Sequence, residues 1–127
     1  KFVKIEHEYI QLTHYDPLVD KIKRENNIDI TEHSDILNDV VWSTAVQHGK
    51  SNGVVGIAIN KVTVPLGKNK NYDRELIKAI YAERGRKKDD GNLYYFSKNS
   101  KDVQDGVSSR FQSELAKALK ELENENY

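Results

Sequence analysis

Apolar residues recur at intervals of three and four along most of the chain, which is the spacing of an amphipathic α-helix. The clearest case is residues 36–48, where two adjacent stripes share one side of the predicted helix. Leu37, Val41, Thr44 and His48 form one stripe, and Ile36, Val40, Ser43 and Gln47 form the other. Thr31 or Ser34 precedes the run as an N-cap, and Gly49 follows as a stop. The pattern predicts an all-α fold.

The same periodicity predicts further helices on either side. Val3 to Leu12 have helix-like spacing, and Pro17 interrupts that run and starts a second helix that ends at Asn26-Asn27. A later helix is expected over residues 73–84, with Gly85 ending it. The last helix is expected over residues 107–122, because Gly106 disfavours an earlier start.

Two short segments are less regular. Residues 54–59 are almost continuously apolar, so periodicity alone does not separate a buried helix from a strand. We favour a short helix capped by Ser51 or Asn52, because the neighbouring segments are helical, and keep the strand as the alternative. Residues 93–96 form an aromatic cluster that either anchors the fold or stacks against sugar rings.

Composition limits the classes of function. The 127 residues are enough for a single helical domain, 1–127, and the formal net charge is zero. A nucleic-acid binder normally carries a basic excess, so no nucleic-acid partner is expected. The chain has no cysteine and no long apolar stretch, and His7, His14 and His33 form no metal-ligand pattern. We therefore expect no metal, no cofactor and no membrane partner.

Two arginines lie on apolar helical faces. Arg84 shares its face with Ile77 and Tyr81, and Arg110 shares its face with Phe111 and Glu114. A buried arginine needs a partner, so the spacing predicts a semi-buried ion-pair cluster, with arginines at the rim as the alternative. His48 is either a ligand contact or a histidine at the edge of the core. No carboxylate is marked out as catalytic.

One run of the sequence resembles a known group of enzymes. The segment V-W-S-T-A-V-Q-H-G, residues 41–49, resembles a helix of family 46 chitosanases. It resembles more closely phage-tail and mobile-element proteins with a lysozyme-like fold. Those proteins also have counterparts of residues 9–15, 75–84 and 110–114, in the same order. The chain is thus identified as the helical lobe of a lysozyme-like fold.

The resemblance implies a function and a set of residues. It implies a domain that cleaves a cell-wall glycan, peptidoglycan or chitosan-like, as a glycoside hydrolase or a lytic transglycosylase. Arg84 and Arg110 match the arginines that support catalysis there, and Ser43 replaces an aspartate between them. Glu83 or Glu114 would then have to supply the charge, or the network differs. His48, Tyr81 and Tyr94 are the residues expected near glycan.

The same resemblance implies that something is missing. The relatives place their general-acid glutamate in an E-S-G-G segment, and nothing in residues 1–15 fits it. We therefore expect a fragment of a larger domain, of phage or mobile-element origin, inactive without its N-terminal lobe. It would be extracellular or particle-associated and act at the cell wall. The alternatives are a non-catalytic glycan-binding module, or a structural or assembly protein of a phage particle or secretion machine.

Overall fold

A computed structural model describes residues 8–49 and 53–127, and within these ranges the chain forms helices and no strand. Its α-helices are α1 (Asp16–Asn26), α2 (Asp35–His48), α3 (Val54–Lys61), α4 (Lys70–Arg84) and α5 (Lys101–Asn124). A π-helical turn, Gln11–Tyr15, and two 3-10 turns, Ile30–Glu32 and Tyr94–Phe96, complete the described elements. The predicted all-α class is confirmed. None of the helices in these ranges has the length and apolarity of a bilayer span.

The start of the described chain departs from the predicted break at Pro17. The π-helical turn passes directly into α1, and Pro17 occupies the first turn of that helix. Proline has no N–H to donate. It is tolerated here because the hydrogen-bond pattern of the preceding turn is that of a π-helix instead of an α-helix. The apolar residues Tyr9 and Leu12 of this segment are exposed. Val3 and Ile5 lie outside the described residues.

Helix α4 is the centre of the fold. It packs against α3 and α5 along its length and also contacts α2. Its buried apolar residues are Tyr72, Leu76, Ile77, Ile80 and Tyr81. The same helix also buries Asp73, Glu83 and Arg84, so three charged side chains lie within the packed interior. Each of them needs partners from a neighbouring element, because an unpaired buried charge is costly.

Side-chain caps fix where three of the helices begin. Ser34 Oγ accepts from the N–H of Leu37 at the start of α2, as the sequence predicts. Asn69 caps α4 and Ser100 caps α5 in the same way. Both helices therefore begin earlier than the sequence-based starts at residues 73 and 107.

Apolar periodicity misses these first turns because most of their residues are polar. A Cβ at Gly106, in the second turn of α5, would face open space, and the cost of this glycine is offset by the rest of a 24-residue helix.

The ambiguous apolar segment is a helix, as favoured above. Val54, Val55 and Ala58 form the fully buried face of α3, whereas Ile57 is partly exposed. Its expected capping residues, Ser51 and Asn52, lie outside the described residues.

A buried polar contact joins the start of α2 to α4. Asp73 accepts a hydrogen bond from the Nδ1 of His33 at 2.8 Å and another from the backbone N–H of Ser34 at 2.9 Å. The side chain of Asp73 is fully buried and that of His33 nearly so. This contact sets the position of the first turn of α2 relative to the central helix.

Replacing Asp73 by alanine should lower the free energy of unfolding by about 3–5 kcal/mol, because a buried charge-assisted contact is broken from one side. Urea denaturation of the full chain measures this loss. Asp89→Ala is the matched control, because Asp89 is exposed in a loop and its loss should change stability by less than about 0.5 kcal/mol. Equal losses in the two variants would contradict the role assigned to Asp73.

Candidate functional site

Arg84 is a fully buried charged residue that contacts α2. It lies at the C-terminal end of α4. Its guanidinium contacts Ser43, Thr44 and Gln47, which we call the polar stripe of α2. Its Nη2 donates to Oε1 of Gln47 at 2.6 Å, and its Nη1 lies 3.4 Å from the hydroxyl oxygens of Ser43 and Thr44. Neutral oxygen acceptors of α2 therefore hold this cation.

Aromatic rings hold the other faces of the same guanidinium. The Cζ atom of Arg84 lies 4.5 Å from the ring centre of Phe111 and 5.0 Å from that of Tyr81. Cation–π contact of this kind is strongest away from water. Burial lowers the pKa of Arg84 below its ordinary value, while the Tyr81 hydroxyl and the Glu114 carboxylate oppose that shift. The guanidinium still carries its charge, because arginine stays protonated in proteins.

Arg110 and Glu114 lie nearer the surface, on α5. Arg110 Nε pairs with Glu114 Oε2 at 3.2 Å, and half of the Arg110 side chain is exposed. Tyr81 donates its hydroxyl to Glu114 Oε1 at 3.1 Å. Burial, followed by the charge of Glu114, raises the pKa of Tyr81 to about 12, so the phenol keeps the proton that it donates.

The expected buried ion-pair cluster is therefore wrong in part. Arg84 is buried, but it makes no ion pair among the described residues, and Ser43 reaches it only through a hydroxyl group. Arg110 is the rim arginine of the alternative interpretation. The two arginines differ because Arg84 sits between three helices, whereas Arg110 lies on the outer side of α5 where its stem reaches water.

An open groove of about 610 Å³ lies above this arrangement. We call it the Trp42–Arg110 groove, and its lining residues are Ile10, Trp42, Ser43, Val46, Gln47, Arg110 and Glu114. One wall comes from α2 and the other from α5. Glu114 also borders a second groove of about 300 Å³ between the same two helices. The polar side chains of α2 and α5 thus lie beside the indole ring of Trp42 in this groove.

The three residues expected near glycan are not brought together. Tyr81 lies below the Trp42–Arg110 groove and reaches Glu114 from inside. His48 packs edge-on against Tyr95 and Phe96. Tyr94 is half exposed and covered by the guanidinium of Arg86, 3.9 Å from its ring centre, and it does not line the groove. Trp42 and Gln47, and none of these three residues, line the Trp42–Arg110 groove.

Glu83, one of the two carboxylates expected to lie between Arg84 and Arg110, forms a separate buried site instead. Both oxygens of its fully buried carboxylate share the single Nε–H of Arg86, and one of them lies 3.5 Å from Lys61 Nζ. The carboxylate also accepts a hydrogen bond from the hydroxyl of Tyr95. These contacts tie the loop after α4 to the central helix. The sequence signal was weak because the basic run that supplies Arg86 looks like a solvated turn.

In the ranges that the structure describes, no group of three or more histidine or acidic side chains is placed to hold a metal ion. The side chains that line the Trp42–Arg110 groove include hydrogen-bonding groups and one indole ring.

Arg84→Ala should lower the free energy of unfolding by about 2–5 kcal/mol, because it removes a large buried side chain and leaves Gln47 Oε1 unpaired. Arg110→Ala is the matched control on the same site, and it should cost less than about 1 kcal/mol because its ion pair is exposed. Urea denaturation of both variants measures the difference. Equal losses of unfolding free energy in the two variants would show that burial of Arg84 does not add to stability.

The stability of the fold should depend on pH through His48. Burial, with the nearby Arg84 charge, lowers the pKa of His48 from 6.5 to about 4. Between these values the unfolded chain binds a proton that the folded chain does not, so the free energy of unfolding falls as the pH drops through this window. His48→Gln should show a smaller fall when unfolding is measured at both ends of it. An identical fall in the variant would exclude His48 as the source.

Comparison with known proteins gives one match. Residues 1–115 match the family model described as type VI secretion system spike protein VgrG3-like, C-terminal. No curated protein and no solved structure has significant similarity to the chain.

This match corrects the family expected from the sequence. The expected membership of a lysozyme-like, chitosanase-like family is wrong, because the family that matches most of the chain is one of secretion spikes. The peptidoglycan-cleaving interpretation that followed from it loses its basis. The alternative, a protein of a secretion machine, is confirmed, and the expected extracellular or particle-associated location agrees with it. The chain belongs to the family of C-terminal regions of VgrG3-like spike proteins of type VI secretion systems.

Proposed function

We propose that this chain is a domain carried by a secreted spike that binds a cell-wall glycan in the Trp42–Arg110 groove. The observation that carries the proposal is the composition of that groove, in which one indole ring stands beside amide, hydroxyl, guanidinium and carboxylate groups. Ligand sites commonly combine apolar and aromatic surface with a few placed polar groups. A sugar ring has an apolar face and a rim of hydroxyl groups, so it fits this combination.

Trp42 is the anchor in this proposal. Its ring is half buried and packs against the ring of Tyr15, with the two centres 5.1 Å apart. That contact holds the indole in place at the groove, so a sugar stacking on it needs little ordering of the side chain. Large, rigid aromatic side chains are frequent energetic anchors in binding surfaces.

Arg110 and Glu114 supply the polar rim. They pair with each other, so the groove carries both signs of charge and no large excess of either. A neutral, hydroxyl-rich ligand suits such a surface, because it accepts from the guanidinium and donates to the carboxylate. The second groove beyond Glu114 allows a ligand longer than one sugar ring to continue along α2 and α5.

The location of the domain supports the same kind of ligand. A secreted spike acts outside the cell that makes it, where cell-wall glycan is one of the polymers that it can meet. In this proposal the domain acts at the cell wall by holding glycan.

A second candidate function is docking of another part of the spike. Tyr9, Leu12 and Val46 are exposed by 65%, 69% and 47%, and Ile10 and Val46 border the groove. Exposed apolar side chains of this kind often mark a protein interface. In this alternative the groove takes apolar side chains of a partner segment.

Co-sedimentation with insoluble cell-wall glycan tests the first candidate. The wild-type chain should sediment with the glycan, and Trp42→Ala should weaken binding by at least about tenfold because the stacking surface is lost. Arg110→Ala should weaken binding as well, with little effect on stability, so loss of binding is separated from loss of fold. Tyr94→Ala is the control, because this exposed aromatic residue lies outside the groove. Absence of wild-type binding, or equal loss in all three variants, would count against glycan binding.

A further inference from the structure

We propose that residues 123–127 form a strap that is held across the starts of α2 and α4 mainly by charge, and that rising ionic strength releases it. The strap follows the buried end of α5 and lies beyond the residues that match the family model, which end at residue 115. The inference does not depend on the proposed glycan binding, because no residue of the strap lines the Trp42–Arg110 groove.

The strap begins where burial ends. Leu122 is fully buried in α5, whereas each residue after it is exposed or only partly buried. The helix itself ends at Asn124, and the backbone of Glu125 is extended. Apolar packing therefore holds the chain as far as Leu122, and the residues beyond it can leave without uncovering the core.

Glu125 makes the first attachment, at the start of α2. Its Oε2 accepts from the backbone N–H of Asp35 at 2.8 Å, and its Oε1 accepts from that of Ile36 at 3.1 Å. The first N–H groups of a helix have no partner within it, and the helix dipole favours negative charge there. Ser34 caps the next N–H group, that of Leu37. The carboxylate of Glu125 thus completes the cap that Ser34 begins.

Glu123 makes the second attachment, at the start of α4. Its Oε1 lies 3.1 Å from Nε and 2.6 Å from Nη2 of Arg74, and its backbone carbonyl accepts from Lys70 Nζ at 3.0 Å. The hydrogen bond from Arg74, with the charge of that residue, lowers the pKa of Glu123. The side chains of Arg74 and Glu123 are exposed by 31% and 56%, so dissolved ions can screen their attraction.

Tyr127 lies beside the buried joint between α2 and α4. Burial, followed by the charge of Asp73, raises the pKa of Tyr127 to about 12. Asp73 also accepts the hydrogen bonds from His33 and from the backbone of Ser34. These two partners remain when the strap leaves, so the start of α2 stays joined to α4 in the released state.

The kind of contact makes the attachment reversible. Exposed ion pairs each contribute little to stability, and five residues lose conformational freedom when the strap is bound. Raising the salt concentration from about 0.1 M to about 1 M shortens the Debye length from about 10 Å to about 3 Å. That change weakens attraction between exposed charges and leaves apolar packing intact. Salt should therefore release the strap while the helices stay folded.

The test follows the exchange of individual backbone amide hydrogens of the full chain by NMR, in NaCl at about 0.1 M and about 1 M. The N–H groups of Asp35 and Ile36 report on the strap directly, and that of Leu37 is the internal reference because Ser34 caps it. In the wild type, exchange at Asp35 and Ile36 relative to Leu37 should become about fivefold faster at the higher salt, which corresponds to the loss of one capping contact.

Three variants separate charge from general loss of order. Glu125→Ala should show the faster exchange already at the lower salt, with no further response. Glu125→Gln keeps a side-chain oxygen but removes the charge, so exchange should be intermediate and the salt response should disappear. Glu121→Ala is the matched control, because Glu121 is an exposed carboxylate at the same end of α5 that makes no hydrogen bond or ion pair among the described residues. It should behave as the wild type does.

The possible outcomes are distinct. A salt response of the wild type that is confined to Asp35 and Ile36, and lost in both Glu125 variants, would support the strap. Salt-independent exchange in the wild type, or a response that Glu125→Gln retains, would refute it. An equal increase at Leu37 would also overturn the proposal, because it would show that the first turn of α2 unwinds as a whole.

Discussion

The arrangement of the groove depends on one interaction, the contact between the buried guanidinium of Arg84 and the polar stripe of α2. Gln47 holds one terminal nitrogen, and the ring of Phe111 from α5 covers the face of the group. Three helices meet at this single side chain. A smaller residue would leave a cavity there, and a carboxylate would face acceptors with none of the donors it needs. The position of α2 relative to α5, and hence the width of the groove, follows from it.

Two other buried charged side chains of α4 also hold a neighbouring element through hydrogen bonds. Asp73 joins α4 to the start of α2 through His33, and Glu83 joins it to the loop that carries Arg86 and Tyr95. Apolar packing against α3 and α5 supplies most of the stabilisation but has little directional preference. Charged groups that need particular partners restrict how neighbouring elements can slide or rotate. The three buried charges of α4 thus fix the register of the elements around it.

Periodicity predicted the helices well and their first turns badly. The stripes of α2 and the face of α4 that carries Ile77, Tyr81 and Arg84 follow from spacing alone, because burial repeats with the helical turn. The starts at Lys70 and Lys101 depend on caps by Asn69 and Ser100, which apolar spacing does not report.

The site was harder to predict than the fold. Arg84 and Arg110 have the same pattern in the sequence, and only the packing of α5 decides that one is buried and the other half exposed. The resemblance of residues 41–49 to an enzyme family led to the wrong family. A helix with a similar packed face can occur in proteins of different families. The sequence placed Gln47 on the same helical face as Ser43, but its hydrogen bond with Arg84 is visible only in the structure.

A buried arginine is an inefficient way to stabilise a helical domain, because an apolar side chain of similar volume usually serves as well or better. What an apolar residue cannot do is determine which end of a neighbouring amide faces outward. With Arg110 and Glu114 neutralising each other at the rim, the groove has little net charge with which to attract a ligand. In the proposed function, recognition there depends on the direction of hydrogen bonds and on the fit to Trp42. A rigid cation beneath the surface provides that direction without adding an exposed charge.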